Sequence, residues 1–228
     1  MNPIIVALDL EDAVQALRLV DQLGDSVAIY KVGLELFTAE GPDIVRALIA
    51  RRKDVFVDLK MYDIGETVKR ATSRVAGLGA RFLTVHSSPQ VVRAALAGAA
   101  GSQLKILVVT VLTSFDDADV ADLGYAGRTA SDLVEHFVLK GVASGADGFI
   151  CSPLELAHVR ALAGPAAILV APGVRSAGAA HGDQKRVATP LEAIRAGANH
   201  LVIGREISRA ADPRAAACRI LADLAGAL

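Results

Sequence analysis

Tryptophan is absent from this chain of 228 residues, and phenylalanine and tyrosine bring the aromatic share to only 4%. No run of lysine or arginine interleaves with those few aromatics and the formal net charge is −1, a pattern that argues against a nucleic-acid surface. Any attraction for an anionic ligand must therefore be local. Long apolar runs are missing too. Hydrophobic residues make up 53% of the chain, yet no stretch stays apolar and uncharged for the ~20 residues of a membrane span. Nothing basic precedes Arg18 and strand-like residues begin at Ile4, so no signal peptide is expected and the chain reads as cytoplasmic. Cysteine is scarce. Cys151 and Cys218 fall in a predicted strand and a predicted helix without metal-type spacing, which suits reduced, buried thiols. No set of Cys, His and carboxylate residues has transition-metal spacing, so no metal is expected, and His136, His158, His181 and His200 receive no role.

What the chain does have is a recurring short apolar run. Such runs cover Ile4 to Asp9, Val27 to Val32, Val55 to Lys60, Phe82 to His86, Lys105 to Leu112, Gly148 to Cys151, Ala167 to Ala171 and Leu201 to Gly204. The segments between them have helical periodicity, as in Ile44, Val45, Leu48 and Ile49. Strict alternation of strand and helix predicts a parallel sheet. Three junctions, Gly79-Ala80, Gly145-Ala146 and Gly197-Ala198, each place a glycine where a helix stops before a strand. No linker or low-complexity stretch divides the chain. The expected architecture is α/β, one (β/α)8 TIM barrel spanning residues 1–228, with a doubly wound open sheet as the alternative.

Charged groups interrupt these runs where a core should tolerate none. Lys31-Val32-Gly33 ends the second run, and Asp58-Leu59-Lys60-Met61-Tyr62-Asp63 ends the third. Because strand side chains alternate, Asp58 and Lys60 are expected on one face with Val57 and Leu59 on the other. An ammonium and a carboxylate about 4 Å apart attract by roughly 4 kcal/mol at the effective dielectric of a protein site. A preorganised charged cluster of this kind is what electrostatic catalysis requires. The loops after the seventh and eighth runs carry Pro172-Gly173-Val174-Arg175 through Asp183-Gln184-Lys185-Arg186, and Ile203-Gly204-Arg205-Glu206. In barrels those two loops often bind phosphate, and here glycine would let backbone amides approach it while Arg205 adds charge.

Plainer readings exist for most of these residues. Asp9 could cap the next helix, and Asp63 with Glu66 resembles a capping box. Lys31 could extend to water, Asp58 with Lys60 could be a structural ion pair, and His86 reads best as a satisfied polar residue at a strand mouth.

Beyond these readings, the chain resembles the orotidine 5′-monophosphate decarboxylase family over nearly its whole length. The resemblance is carried by Ala7-Leu8-Asp9, Lys31-Val32-Gly33 with Glu35-Leu36-Phe37, Asp58-Leu59-Lys60 with Asp63-Ile64, Val109 to Ser114, Pro172 to Arg175, Asp183 to Pro190, and Val202 to Arg205. It implies a homodimer of (β/α)8 barrels that removes carbon dioxide from orotidine 5′-monophosphate to give uridine 5′-monophosphate, with no metal and no organic cofactor. By position, it implies that Lys31, Asp58, Lys60 and Asp63 form an alternating charged array, with Asp63 supplied by the neighbouring subunit. Asp9 would contact the ribose, Thr67 from the partner chain would help hold the ribosyl phosphate, Ile64 would bind substrate, and Thr113 would lie near the pyrimidine. Arg175, Gln184, Gly204 and Arg205 would cover the phosphate, under a lid between Arg175 and Gln184.

Some positions depart from the family pattern: Tyr62 where histidine is frequent, Gly65 and Glu206 where proline is common, and Ser88-Pro89 where a glycine-rich turn is usual. None removes a charged group of the array. Relatives with the same Asp-x-Lys-x-x-Asp strand include magnesium-dependent sugar-phosphate decarboxylases and synthases, which use an acidic residue where this chain has Lys31. A catalytically silent phosphate-binding barrel is the remaining alternative.

Overall fold

The apolar runs form strands that pair in sequence order. A computed structural model, describing residues 2–176 and 188–226, contains β1 (Ile4–Ala7), β2 (Ile29–Val32), β3 (Asp54–Met61), β4 (Phe82–His86), β5 (Lys105–Val109), β6 (Gly148–Ile150), β7 (Ile168–Ala171) and β8 (His200–Ile203). All neighbours are parallel and β8 returns to β1, which closes the sheet into a barrel. An open doubly wound sheet is thereby ruled out.

Closure explains why the strands are apolar on both faces. Ile5, Ile29, Phe56, Phe82, Leu107 and Val170 point inward and form a separate cluster that fills the barrel. Residues of opposite parity, among them Val6, Tyr30, Val57, Leu83, Val108 and Phe149, point outward and merge with the buried faces of the surrounding helices. The three expected helix stops are real: Gly79, Gly145 and Gly197 have φ of 84°, 84° and 107°, a region costly for residues with a Cβ. Behind two of them, Ala146 N donates to Gly141 O and Ala198 N to Ala193 O, both at 3.0 Å, which satisfies carbonyls at the helix end.

Several boundaries differ from the sequence reading. β1 ends at Ala7 and β5 at Val109, so Asp9 and Val111 to Thr113 belong to the loops above the barrel. The apolar run continues past Val109 because Val111 still faces protein, at 7% exposure. Cys151 is buried as expected, but Cys218 is exposed. Its helix, Pro213–Leu224, buries Ala216, Ala217, Ile220 and Leu224 instead, which correct the expectation of two buried thiols. Among the described residues, no helix is long and apolar enough to cross a membrane.

Candidate active site

Barrel stagger brings four charged groups together at the carboxyl ends of β1 to β3. Ala7 and Phe56 are the strand partners of Lys31, so Asp9 and Asp58, each two residues further along, flank it on either side. Lys31 Nζ lies 2.8 Å from Asp9 Oδ1 and 3.7 Å from Asp58 Oδ2. Lys60 Nζ lies 3.0 Å from Asp58 Oδ1. The result is an alternating row, Asp9, Lys31, Asp58, Lys60. Its centre is the driest part, with the Lys31 and Asp58 side chains 11% and 13% exposed against 56% for Asp9. Helix capping falls instead to Asp12, whose carboxylate accepts from Gln15 N at 2.8 Å, so the capping reading of Asp9 is set aside.

β3 reaches this arrangement through a break in its ladder. Val57 pairs with Leu83 and Met61 with Val85, so four steps along β3 match two along β4. Lys60 takes up the irregularity with φ of 49°. Val57, Leu59 and Met61 still pack outward, as alternation predicts, while Asp58 and Lys60 meet over the barrel mouth. Thr84, fully buried on β4, donates its hydroxyl to Asp58 Oδ1 at 2.8 Å and accepts from Lys60 N at 3.0 Å. The sequence reading missed Thr84. Its one signal was parity, since Thr84 stands at the inward position between Phe82 and His86.

Asp63 does not join the row of its own chain. It is exposed, its Oδ1 accepts from Ile64 N at 2.6 Å, and it makes no ion pair among the described residues. No capping box forms either, because Ile64 is the N-cap of helix Gly65–Gly77 and makes no side-chain cap bond. Tyr62 and Ile64, on either side of Asp63, are both 70% exposed. Thr67 is half-buried in the first turns of that helix. His86 lies against Tyr62 with ring centroids 5.3 Å apart, and burial, followed by the charge of Lys60, lowers its pKa.

Two connected cavities cover the barrel mouth. The smaller, about 150 Å³, is lined by Asp58, Lys60, Thr113, Val109 and Ile150 among others. The larger, about 630 Å³, carries Asp9, Arg175, Gly204 and Arg205. Lys31, Pro172 and Val202 border both, so the charged row lies between a compact apolar slot and a wider, net basic end where Arg175, Arg205 and Arg209 outnumber Glu11 and Glu35. Arg209 and Ser208 also line the wider end, although no motif singled them out. Burial, and then the charge of Arg205, lowers the Arg175 pKa against the opposing charge of Glu206, and both guanidinium groups line the wider cavity. Guanidinium groups lining one cavity are suited to hold an anion such as a phosphate. Gly204 has φ of −105° and ψ of −106°, outside the main regions open to residues with a Cβ, while a Cβ there would meet only Ala7 Cβ at 3.7 Å. Backbone conformation rather than close packing therefore favours glycine beside Arg205. Glu206 accepts from Ser176 N at 3.1 Å and ties the β7 loop to the β8 loop. Gln184 and most of the expected lid lie outside the described residues.

Residues 2–220 match the family model described as "Orotidine 5'-phosphate decarboxylase / HUMPS family". The chain is 53% identical over 224 residues to the orotidine 5′-phosphate decarboxylase of Rhodopseudomonas palustris, covering 98% of this chain and 94% of that one. It is 51% identical over 227 residues to the enzyme of the same name from Methylobacterium, covering 98% and 96%. The crystal structure of orotidine 5′-phosphate decarboxylase from Lactobacillus acidophilus superposes with a TM-score of 0.87 at 35% identity, covering 99% of this chain and 100% of that one. With a barrel, a charged row and relatives that agree along almost their full lengths, this chain belongs to the orotidine 5′-phosphate decarboxylase family, whose named members are carboxy-lyases.

Proposed function

We propose that this chain decarboxylates orotidine 5′-monophosphate to uridine 5′-monophosphate, as a single catalytic domain acting in the cytoplasm with no metal or organic cofactor. The observation that carries the reading is the ammonium of Lys60, held 3.0 Å from Asp58 at the wall of the apolar slot. When the bond between the ring and its carboxylate breaks, carbon dioxide leaves and the electron pair stays on a ring carbon that has no adjacent electron sink. A fixed cation beside that carbon lowers the energy of the developing carbanion. Lys60 then gives up a proton, a carbon–hydrogen bond forms, and the neutral amine regains its proton from water. Lys31 and Asp58 keep this cation in place, while Asp9 stands where a ribose would lie between slot and basic end.

Arg175, Gly204 and Arg205, with Gln184, would bind the phosphate, and Thr113 would border the pyrimidine. Contacts so far from the reacting carbon accelerate the reaction by holding the ring in position, so that binding energy is expressed as rate. A homodimer with shared sites completes the reading. Asp63 lies outside the row of its own chain, between two exposed apolar side chains, an arrangement suited to delivering Asp63, Ile64 and Thr67 to a neighbouring site. The magnesium-dependent alternative gains no support from the donor set, since Lys31 already lies between the two carboxylates a metal would need.

The test is turnover of orotidylate by the purified protein in the presence of a chelator, followed by absorbance. Full activity is expected. Lys60→Ala should abolish turnover while uridine 5′-monophosphate still binds, and near-normal turnover by that variant would refute the role given to Lys60.

A further inference from the structure

We infer that Thr84 is a positioning residue for the reacting ammonium: its hydroxyl fixes the backbone that carries Lys60 and the carboxylate that holds Lys60 Nζ. The inference rests on the decarboxylase reading above.

A hydroxyl has one hydrogen to give and lone pairs to receive with. The Asp58 carboxylate offers only acceptor oxygens and the Lys60 amide offers only a hydrogen. The Thr84 O–H must therefore donate to Asp58 Oδ1 (2.8 Å), and its lone pair must take Lys60 N–H (3.0 Å). Both bonds have one possible direction. Asp58 Oδ1 in turn accepts from Lys60 Nζ at 3.0 Å. Lys60 is thus gripped at both ends of its residue, at the amide by Thr84 and at the ammonium by Asp58, and the Thr84 to Asp58 bond closes the ring.

This grip is needed because β3 is irregular at this point. The pairing of β3 with β4 slips between Val57 and Met61, and Lys60 adopts φ of 49°, a left-handed conformation that residues with a Cβ adopt rarely. Such a backbone persists only where surrounding contacts over-determine it. The Thr84 hydroxyl is a side-chain partner for an amide within the slipped segment, and it is fully buried, so water cannot readily replace it. Valine in its place would keep the shape and lose both bonds. Serine would keep both bonds and lose only a methyl group.

The test compares Thr84→Val and Thr84→Ser with the wild-type chain, measuring kcat and KM for orotidylate below the melting temperature of each. Thr84→Val is expected to lower kcat by roughly 10- to 100-fold, the cost of a misplaced catalytic group. Its KM should change less than about threefold, because the basic end of the cleft is untouched. Thr84→Ser should return kcat to within about threefold of wild type. A purely structural role would lower the melting temperature and the active fraction without this split between kcat and KM. If Thr84→Val fails to fold, Thr84→Ala takes its place with the same expected split. Undiminished kcat in the variant lacking the hydroxyl, or Thr84→Ser as slow as Thr84→Val, overturns the Thr84 assignment alone. A wild-type chain without turnover overturns both it and the decarboxylase reading.

Discussion

Gly33 leaves the space that the Lys31 ammonium occupies. A Cβ on Gly33 would stand 2.8 Å from Lys31 Nζ, closer than nonbonded atoms tolerate, and a tight 3.2 Å from Asp9 Oδ1. The backbone of Gly33 is ordinary, with φ of −92°, so the need for glycine here is a need for room. Gly33→Ala should therefore push the ammonium away from its carboxylates while leaving the barrel folded. The expected result is a fall in kcat/KM of roughly 10- to 100-fold. The melting temperature should move by no more than about 4 °C, as for a change near 1 kcal/mol in a chain of this size. Steady-state kinetics and a thermal melt check both. An unchanged kcat/KM would mean that the lysine can shift without loss.

The contrast between Asp58 and Thr84 marks how far the sequence could be read. Asp58 and Lys60 were legible because charge at the end of an apolar run conflicts with burial, and a conflict of that kind has few explanations. Gly79, Gly145 and Gly197 were legible because a helix end that requires positive φ leaves glycine as the cheapest residue. Thr84 was not singled out, since threonine is at home in a strand and its shared parity with Phe82 and His86 does not say which face is inward until the barrel is closed. The slip in β3 was illegible for a related reason: it depends on which residues of β4 lie opposite, a relation between segments rather than within one. Cys218 was misjudged because the polar and apolar sides of helix Pro213–Leu224 are set by what the helix packs on.

Asp63 offers a test of the shared site that needs no structure of the dimer. Lys60→Ala and Asp63→Asn should each be nearly inactive alone. In a mixed dimer, the lysine of the Asp63→Asn chain would meet the intact Asp63 of the Lys60→Ala chain and rebuild one undamaged site, while the second site would carry both lesions. After mixing equal amounts under exchange, about a quarter of wild-type activity per chain should return, as random pairing in a two-fold dimer requires. Activity that stays at the mean of the two single variants would mean that each chain supplies its own Asp63, or that no dimer exchanges.

His200 makes stability depend on pH at the opposite end of the barrel. It opens β8 with its side chain inside, 4% exposed, its ring 5.4 Å from that of Phe82. Nδ1 has no hydrogen-bond partner among the described residues. Burial first, and then the charge of Arg81, drive its pKa from 6.5 down to about 4, against smaller opposing effects from the Pro3 carbonyl and Asp54. The folded chain thus holds His200 neutral where the unfolded chain would protonate it. Between pH 6.5 and about 4 the unfolded state binds the extra proton, so stability rises with pH through that window. The contribution is complete above pH 6.5 and is lost as acid approaches the folded pKa, by an amount on the order of 3 kcal/mol. Other groups titrate in the same range, so the informative quantity is the difference between two slopes. Melting temperatures of wild type and His200→Gln, measured in steps from pH 7 to 4.5, should converge toward acid, with the wild type falling more steeply by several degrees. Parallel curves would show that the buried imidazole is protonated in the folded barrel, or that the barrel floor opens to water before it is.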